Sequence, residues 1–195
     1  MADSTIKIAL KLLVITLIAG LALGLTNAIT AGPIAEQAAL SAENARKEVL
    51  SADSFYEVPL DELKADAAWQ SGYDAVTAVY GAKGADGSFM GSVIEVNGKG
   101  YGGTIGITVG VDVDLKITGI KIGSHSETPG LGAKTTDVKF YGQFAGLDAK
   151  EDIAVGSEIT AISGATVSSK GVTTAVDAAA SLAVDFAKTI EEAMK

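Results

Sequence analysis

The stretch TIGITVGVDVDLKITGIKI, which runs from Thr104 to Ile122, decides the fold of this chain. Apolar residues alternate with small or polar residues from Thr104 to Val111 and again from Leu115 to Ile122. A period of two is typical of β-strands, because successive side chains of a strand point to opposite faces of the sheet. The stretch therefore predicts two β-strands.

Two more segments before this stretch have the same character, Ala75–Tyr80 and Ser92–Val96. The pairs Asp86-Gly87 and Asn97-Gly98 resemble hairpin turns, because these residue types tolerate a positive φ. Hairpins join neighbouring strands that run in opposite directions. We therefore expect an antiparallel meander rather than a parallel sheet.

Helical patterns follow the strands. A short helix is expected around Asp137–Phe144 and a long one over Val167–Met194, where apolar residues recur every three or four positions. The expected buried stripe consists of Val172, Val176, Ala179, Ala183, Phe186 and Ile190, while Asp177, Lys188 and Glu191 are expected to face water. Strands followed by helices make this an α+β domain with an antiparallel sheet and helices.

The N-terminal part of the chain is different, because Leu12–Ala31 contains no charged residue. About 20 apolar residues are enough to cross a membrane as a helix. Lys7 and Lys11 precede the segment, so the positive-inside rule predicts a cytoplasmic N-terminus and a C-terminal part outside the cytoplasm. A signal peptide cleaved after Ala28 is the alternative, and a mature N-terminus at Ile29 would support it.

These patterns divide the chain into four predicted segments. They are a cytoplasmic tail (1–11), a transmembrane helix (12–31), a stalk helix or linker (32–54) and an extracytoplasmic domain (55–195). The stalk is expected as a helix, either continuous or broken at Pro33, because proline disrupts helix interiors. The chain is therefore expected in the cell membrane as a single-pass protein.

Composition excludes several classes of function. The chain has no cysteine, which excludes disulfides, thiol nucleophiles and cysteine-ligated metals, and its one histidine, His125, excludes a multi-histidine metal site within one chain. The formal net charge of −9, without a basic run, argues against nucleic acid as a partner. We expect neither a metal site nor catalytic residues of a hydrolase.

Two glycine-rich loops could carry chemistry. The first, GSHSETPGLG at Gly123–Gly132, is fixed by a Pro-Gly turn, and a simple surface turn is the alternative. The second, SGATVSS at Ser163–Ser169, precedes the long helix, where unpaired N–H groups suit a phosphate. An ordinary N-cap is the alternative for this second loop.

Together with KGYGG at Lys99–Gly103, the sequences HSETPGLG at 125–132 and ISGATVSSKGV at 162–172 resemble a known family. It is the FMN-binding domain shared by the G subunit of the Rnf complex and the C subunit of the Na⁺-translocating NADH:quinone oxidoreductase. The resemblance covers nearly the whole chain. It implies an FMN joined by a phosphodiester to Thr166, which a separate FMN transferase attaches.

The resemblance also assigns the remaining site residues. Ser163, Gly164 and Ala165 would shape the turn around the phosphate, and Val167, Ser168 and Ser169 would supply N–H groups and hydroxyls. Around the flavin ring it implies Glu127, Thr128, Gly130 and Leu131, with Tyr101 and Gly102 nearby. The family usually has an aspartate where this chain has Thr160, and Glu158 is the candidate to replace it in recognition by the transferase.

The implied function is electron transfer within an Rnf complex, which couples electron flow between ferredoxin and NAD⁺ to movement of Na⁺ or H⁺. This chain would be one component of that translocase and by itself an electron carrier, with other membrane subunits as partners. The alternatives are the C subunit of the quinone reductase and a stand-alone membrane-anchored flavoprotein. A binding module without a redox role would instead be colourless.

Overall fold

A computed structural model describes residues 2–194, with side chains from residue 7 onward. Met1 and Lys195, the ends of the first and last predicted segments, lie outside the described residues. The first helix, α1, spans Ala2–Val49 and continues through Pro33, so the continuous form of the stalk is the one present. Its apolar N-terminal part is exposed and long enough to cross a membrane. The chain divides after Glu43 into two compact units.

The second unit is built on a five-stranded antiparallel sheet in the order β1-β2-β3-β4-β5. The strands are β1 (Ser54–Val58), β2 (Val76–Lys83), β3 (Phe89–Lys99), β4 (Thr104–Asp112) and β5 (Ile117–Ile122). Four of them correspond to the strands predicted from the sequence, and β1 is an additional edge strand. The α+β fold with an antiparallel sheet is thereby confirmed.

The helices of this unit are α2 (Leu60–Lys64), α3 (Val138–Tyr141), α4 (Thr166–Asp185) and α5 (Ala187–Glu192). Three short 3₁₀ segments, Ser71–Ala75, Gly132–Thr136 and Gly142–Phe144, complete the elements. The last of these continues α3, so the predicted short helix around Asp137–Phe144 is present as two consecutive turns.

Helix α4 covers one face of the sheet and forms the main core. All six residues of the predicted apolar stripe are buried, and Phe144 and Leu182 are also fully enclosed. The other face of the sheet carries a smaller cluster of Val49, Leu50, Ala82 and Val93. Since Val93 and Ile94 are consecutive residues that belong to different clusters, the sheet is buried on both faces.

A partly buried ion pair helps to hold the C-terminal end of α1 (44–49) against this second face. The Arg46 guanidinium lies 2.7 Å from the Glu95 carboxylate of β3 and 4.3 Å from the centre of the Tyr80 ring. A Cβ atom at Gly110 would lie 2.5 Å from the Val49 carbonyl oxygen. Glycine at this position therefore permits the close approach of backbone to sheet.

Three details differ from the sequence-based expectations. Asn97-Gly98 is not a turn, because both residues pair with β4 inside β3 and the chain reverses at 100–103 instead. The predicted single C-terminal helix is interrupted at Phe186, whose φ of −105° and ψ of 11° end α4 before α5 begins. Asp177 does not simply face water, since it accepts a hydrogen bond from the Ile153 N–H at 2.8 Å.

Candidate functional site

Three connections meet at one end of the sheet, beside the N-terminus of α4. The first is the β3–β4 turn, closed by a 2.8 Å hydrogen bond from the Gly100 N–H to the Gly103 carbonyl. The second is the loop that leaves β5 at Gly123, and the third is the segment before α4. Because β3 ends, β4 begins and β5 ends on the same side, the antiparallel order itself brings the first two together.

A cleft of about 470 Å³ lies between these connections. Such a volume is in the usual range for small-molecule sites. The lining combines apolar side chains, one carboxylate and the hydroxyl-bearing start of a helix, and it consists of Tyr101, Glu127, Thr128, Leu131, Gly132, Gly164, Ala165, Thr166, Val167 and Ser168.

Nine of the thirteen residues that the resemblance assigned to flavin binding therefore line one cleft. The other four are not part of the lining: Gly102, Gly130 and Ser163 belong to the three connections, and Ser169 lies in α4. The residues predicted from the sequence did not include Gly132, although it is the last glycine of the HSETPGLG motif. The contribution of each residue to flavin binding stays a prediction.

The segment before α4 is a preformed turn. Ile162 and Ala165 are joined by a hydrogen bond from the Ala165 N–H to the Ile162 carbonyl at 3.0 Å, and Gly164 has a φ of +78°. The Ser169 hydroxyl closes the turn, because it accepts from the Ile162 N–H and donates to the Ala165 carbonyl, both at 3.0 Å. Ser169 is fully buried, and its hydroxyl is already used within the protein.

Thr166 is the first residue of α4, and it is exposed at the cleft. The residue before it, Ala165, has no side-chain oxygen with which to cap the helix. The N–H groups of the first helical turn have no acceptor within a helix, and among the described residues no side chain caps them. An anion is stabilised at such a position by these N–H groups and by the helix dipole.

Glu127 links the first two connections to the first turn of α4. Its Oε1 accepts a hydrogen bond from the Gly102 N–H at 2.7 Å, and its Oε2 accepts one from the Ser168 hydroxyl at 2.5 Å. The Glu127 N–H in turn lies 3.3 Å from Nδ1 of His125. The carboxylate therefore joins the β3–β4 turn, the loop after β5 and the first turn of α4.

Further along the chain, Glu158 and Thr160 are held by local contacts. The Glu158 carboxylate accepts hydrogen bonds from the Ser157 hydroxyl and the Ala154 N–H, and these bonds lower its pKa. The Gln143 side chain accepts from the Thr160 N–H at 2.8 Å and donates to the Thr160 carbonyl at 3.3 Å. The backbone at Thr160, six residues before Thr166, is thus held through both its N–H group and its carbonyl.

Comparison with known proteins assigns the chain to a family. An FMN-binding domain matches residues 100–181, a range that contains both glycine-rich loops and most of α4. The G subunit of the Na⁺-translocating ferredoxin:NAD⁺ oxidoreductase complex of Acetobacterium woodii is 37% identical, over 88% of this chain and 87% of that protein. The chain belongs to the G-subunit family of ion-translocating oxidoreductase complexes.

A second member of the G-subunit family comes from the ion-translocating oxidoreductase complex of Methanosarcina acetivorans. It is 34% identical over 89% of this chain and 91% of that protein. These two relatives confirm the resemblance that the motifs indicated. Among solved structures, the C subunit of the Na⁺-translocating NADH-quinone reductase of Parabacteroides distasonis is 25% identical. The match covers 74% of this chain and 81% of that one, with a TM-score of 0.49.

Proposed function

We propose that this chain carries FMN bound covalently through the Thr166 hydroxyl and that it relays electrons within an ion-translocating oxidoreductase complex. The observation that carries the proposal is the exposed position of Thr166 at an uncapped helix N-terminus on a cleft of about 470 Å³. Relatives that match most of the chain are named as subunits of such complexes, including a Na⁺-translocating ferredoxin:NAD⁺ oxidoreductase.

The residues present fit the parts of FMN. The uncapped N–H groups of the first turn of α4 suit the phosphate, and the +78° φ of Gly164 turns the chain in front of them. The exposed apolar side chains Tyr101 and Leu131 suit a flat aromatic ring. When bound, the isoalloxazine ring supplies the redox chemistry, while this chain's residues bind and orient it.

Attachment through Thr166 is a phosphoester exchange. The bond between Thr166 Oγ1 and the FMN phosphorus forms while a bond from that phosphorus to a leaving group breaks, and the hydroxyl proton passes to a base. A free phosphate has no suitable leaving group, so the donor must be an activated ester such as a flavin dinucleotide, which loses a nucleoside monophosphate. A separate FMN transferase is the expected catalyst.

The choice of Thr166 is supported by the state of the neighbouring hydroxyls. Ser168 donates to Glu127, Ser169 donates to the Ala165 carbonyl, and Thr173 donates to the Ser169 carbonyl at 2.9 Å. All three side chains are buried, whereas Thr166 is exposed. A modifying enzyme can therefore reach the Thr166 hydroxyl without opening the core.

The side chains that line the cleft suit an electron carrier better than a complete dehydrogenase. Among the described residues that line the cleft, Glu127 is the one carboxylate and there is no histidine, lysine or arginine. Both oxygens of Glu127 already accept hydrogen bonds. A dehydrogenase that handles an organic substrate needs a positioned acid or base for its proton. We propose that this chain receives electrons from redox centres of other subunits and returns them to such centres.

The arrangement in the membrane completes the proposal. Residues 12–31 span the membrane, the tail 1–11 with Lys7 and Lys11 is cytoplasmic, and the FMN domain is outside. Because the chain has no cysteine, this orientation can be tested by introducing one. Ser51→Cys should react with a membrane-impermeant maleimide in intact cells, and Ser4→Cys should react only after lysis. The opposite pattern would contradict the proposed orientation.

The attachment is tested with three variants that are expressed together with the transferase. Thr166→Ser should retain bound flavin, because a hydroxyl is still present, while Thr166→Val should lose it with little change in shape. Flavin fluorescence of the denatured protein in a gel reports the bond. Covalent flavin on Thr166→Val would refute Thr166 as the acceptor. The matched control is Thr174→Val, which makes the same change at an exposed threonine of α4 outside the cleft lining and should remain fluorescent.

Membership of a complex is tested by purification. A tag on this chain should co-purify several multi-span membrane subunits in mild detergent. Isolation of a loaded, redox-active chain alone from the native membrane would favour a stand-alone flavoprotein instead.

A further inference from the structure

Glu127 is a buried carboxylate at the cleft, with only 6% of its surface exposed. Burial of a charged group is costly unless hydrogen bonds or an opposite charge compensate for it. The two partners of its oxygens, the Gly102 N–H and the Ser168 hydroxyl, are both neutral donors. A carboxylate that accepts at both oxygens has the hydrogen-bonding pattern of its ionised form.

No cation pairs with this carboxylate among the residues that the structure describes. Ion pairs between Arg46 and Glu95 and between Lys121 and Glu48 are present in the second unit, and Glu127 takes part in neither. Hydrogen bonds therefore compensate for the burial of Glu127 while its negative charge remains. A ligand in the cleft would meet that charge directly.

The chain makes room for this carboxylate with two glycines. A Cβ atom at Gly100 would lie 2.2 Å from Oε1 of Glu127, and a Cβ atom at Gly132 would lie 1.9 Å from Oε2. Neither glycine has a positive φ, so the available space, and not the backbone conformation, excludes a side chain there. The hydrogen bonds and close packing of the Glu127 carboxylate hold its charge at a defined position.

We propose that the negative charge of Glu127 lowers the reduction potential of the flavin, an inference that rests on the proposed binding of FMN in this cleft. An electron that enters the ring adds negative charge near a fixed carboxylate. Because Glu127 is buried, this repulsion is screened less than it would be between two groups in water. Glu127 is thus a positioning residue for the site and also makes the flavin a stronger electron donor.

The test is a spectroscopic redox titration of the flavin-loaded full chain in detergent, with a chemical reductant that supplies the electrons. Glu127→Gln keeps the size and polarity of the side chain and removes its charge. We expect the one-electron equilibrium to favour the reduced flavin about tenfold more, a shift of about 59 mV to more positive potential. Glu57→Gln, which removes an exposed charge from β1, is the matched control and should leave the potential unchanged.

Glu127→Asp separates charge from shape. This variant retains the charge. Its flavin potential should therefore differ less from the wild-type value than the potential of Glu127→Gln does. Equal potentials in the wild type and Glu127→Gln would overturn the inference. Loss of flavin from Glu127→Gln would also overturn it, because Glu127 would then serve loading. A wild-type chain without flavin would instead refute the proposed function on which the inference rests.

Discussion

Replacement of Gly132 by alanine should destabilise the cleft and the domain together. The new methyl group would lie 1.9 Å from Oε2 of Glu127 and 2.6 Å from Oγ of Ser168. Both distances are far below ordinary van der Waals contact. The two side chains must separate, and the hydrogen bond between them must lengthen or break.

The magnitude follows from three contributions. Insertion of a methyl group into a packed site costs about 1–3 kcal/mol, and loss of a hydrogen bond to a charged group costs about 1.5–3 kcal/mol. The lower conformational entropy of alanine in the unfolded chain returns about 0.4–1 kcal/mol. We expect Gly132→Ala to lower the free energy of unfolding by about 2–5 kcal/mol.

Urea unfolding of the full chain in detergent measures this effect, with fluorescence of the single tryptophan, Trp69, as the probe. Trp69 contacts Tyr73 and Phe186, with ring centres 5.6 and 6.3 Å away, so its emission reports the packing of the second unit. The matched control is Gly142→Ala, where the nearest atom to the new methyl group would be 3.7 Å away.

Gly142→Ala should stay within about 0.5 kcal/mol of the wild type, as most substitutions away from packed or strained positions do. If Gly132→Ala were as stable as Gly142→Ala, the close packing around Glu127 would be refuted.

Three further predictions address the approach to Thr166, the half-buried carboxyl group of Asp177 and the core. Gln143→Ala should slow flavin attachment several-fold, because the 2.8 Å hydrogen bond from the Thr160 N–H is lost; an in-gel fluorescence time course measures this, and exposed Lys139→Ala should match the wild type. Burial raises the pKa of Asp177, so the folded state binds its proton more tightly and stability falls as the pH rises above the ordinary value of 3.8. Asp177→Asn should remove that part of the pH dependence in urea unfolding as the pH rises from about 4; an unchanged profile would contradict this. Phe144→Ala should cost about 3–5 kcal/mol in the same assay, because Phe144 is fully buried; a loss below about 1 kcal/mol would contradict the packing.

Much of the sheet could be predicted because its signals are local. Strand alternation and the Asp86-Gly87 turn are visible in a few consecutive residues. Asn97-Gly98 has the same composition as a hairpin turn but lies inside β3, where a Cβ atom at Gly98 would be 2.8 Å from the Gly171 carbonyl oxygen of α4. This glycine serves close packing, which the local sequence does not distinguish from a turn.

The end of α4 could not be predicted for a similar reason. The apolar stripe continues with the same spacing through Phe186 to Ile190, and both residues are buried. The interruption is visible only in the backbone angles of Phe186, and its ring lies near Trp69, a residue far away in the sequence. The local sequence therefore does not mark the end of α4, which coincides with a tertiary contact instead.

In the candidate site, too, local motifs were predictable and contacts between distant residues were not. The motifs identified the loops, and nine of the thirteen residues assigned to flavin binding do line one cleft. The partners of Glu127 were not predictable, since Gly102 and Ser168 are distant in sequence and are joined to it only by the fold. The role of Gly132 likewise depends on where the Glu127 carboxylate lies.

The intact mass of the full chain tests the central claim most directly. Protein produced together with the FMN transferase should exceed its sequence mass by one FMN less one water, and Thr166→Ala should have its unmodified mass. A wild-type chain without the addition would contradict the account, as would an addition that persists in Thr166→Ala.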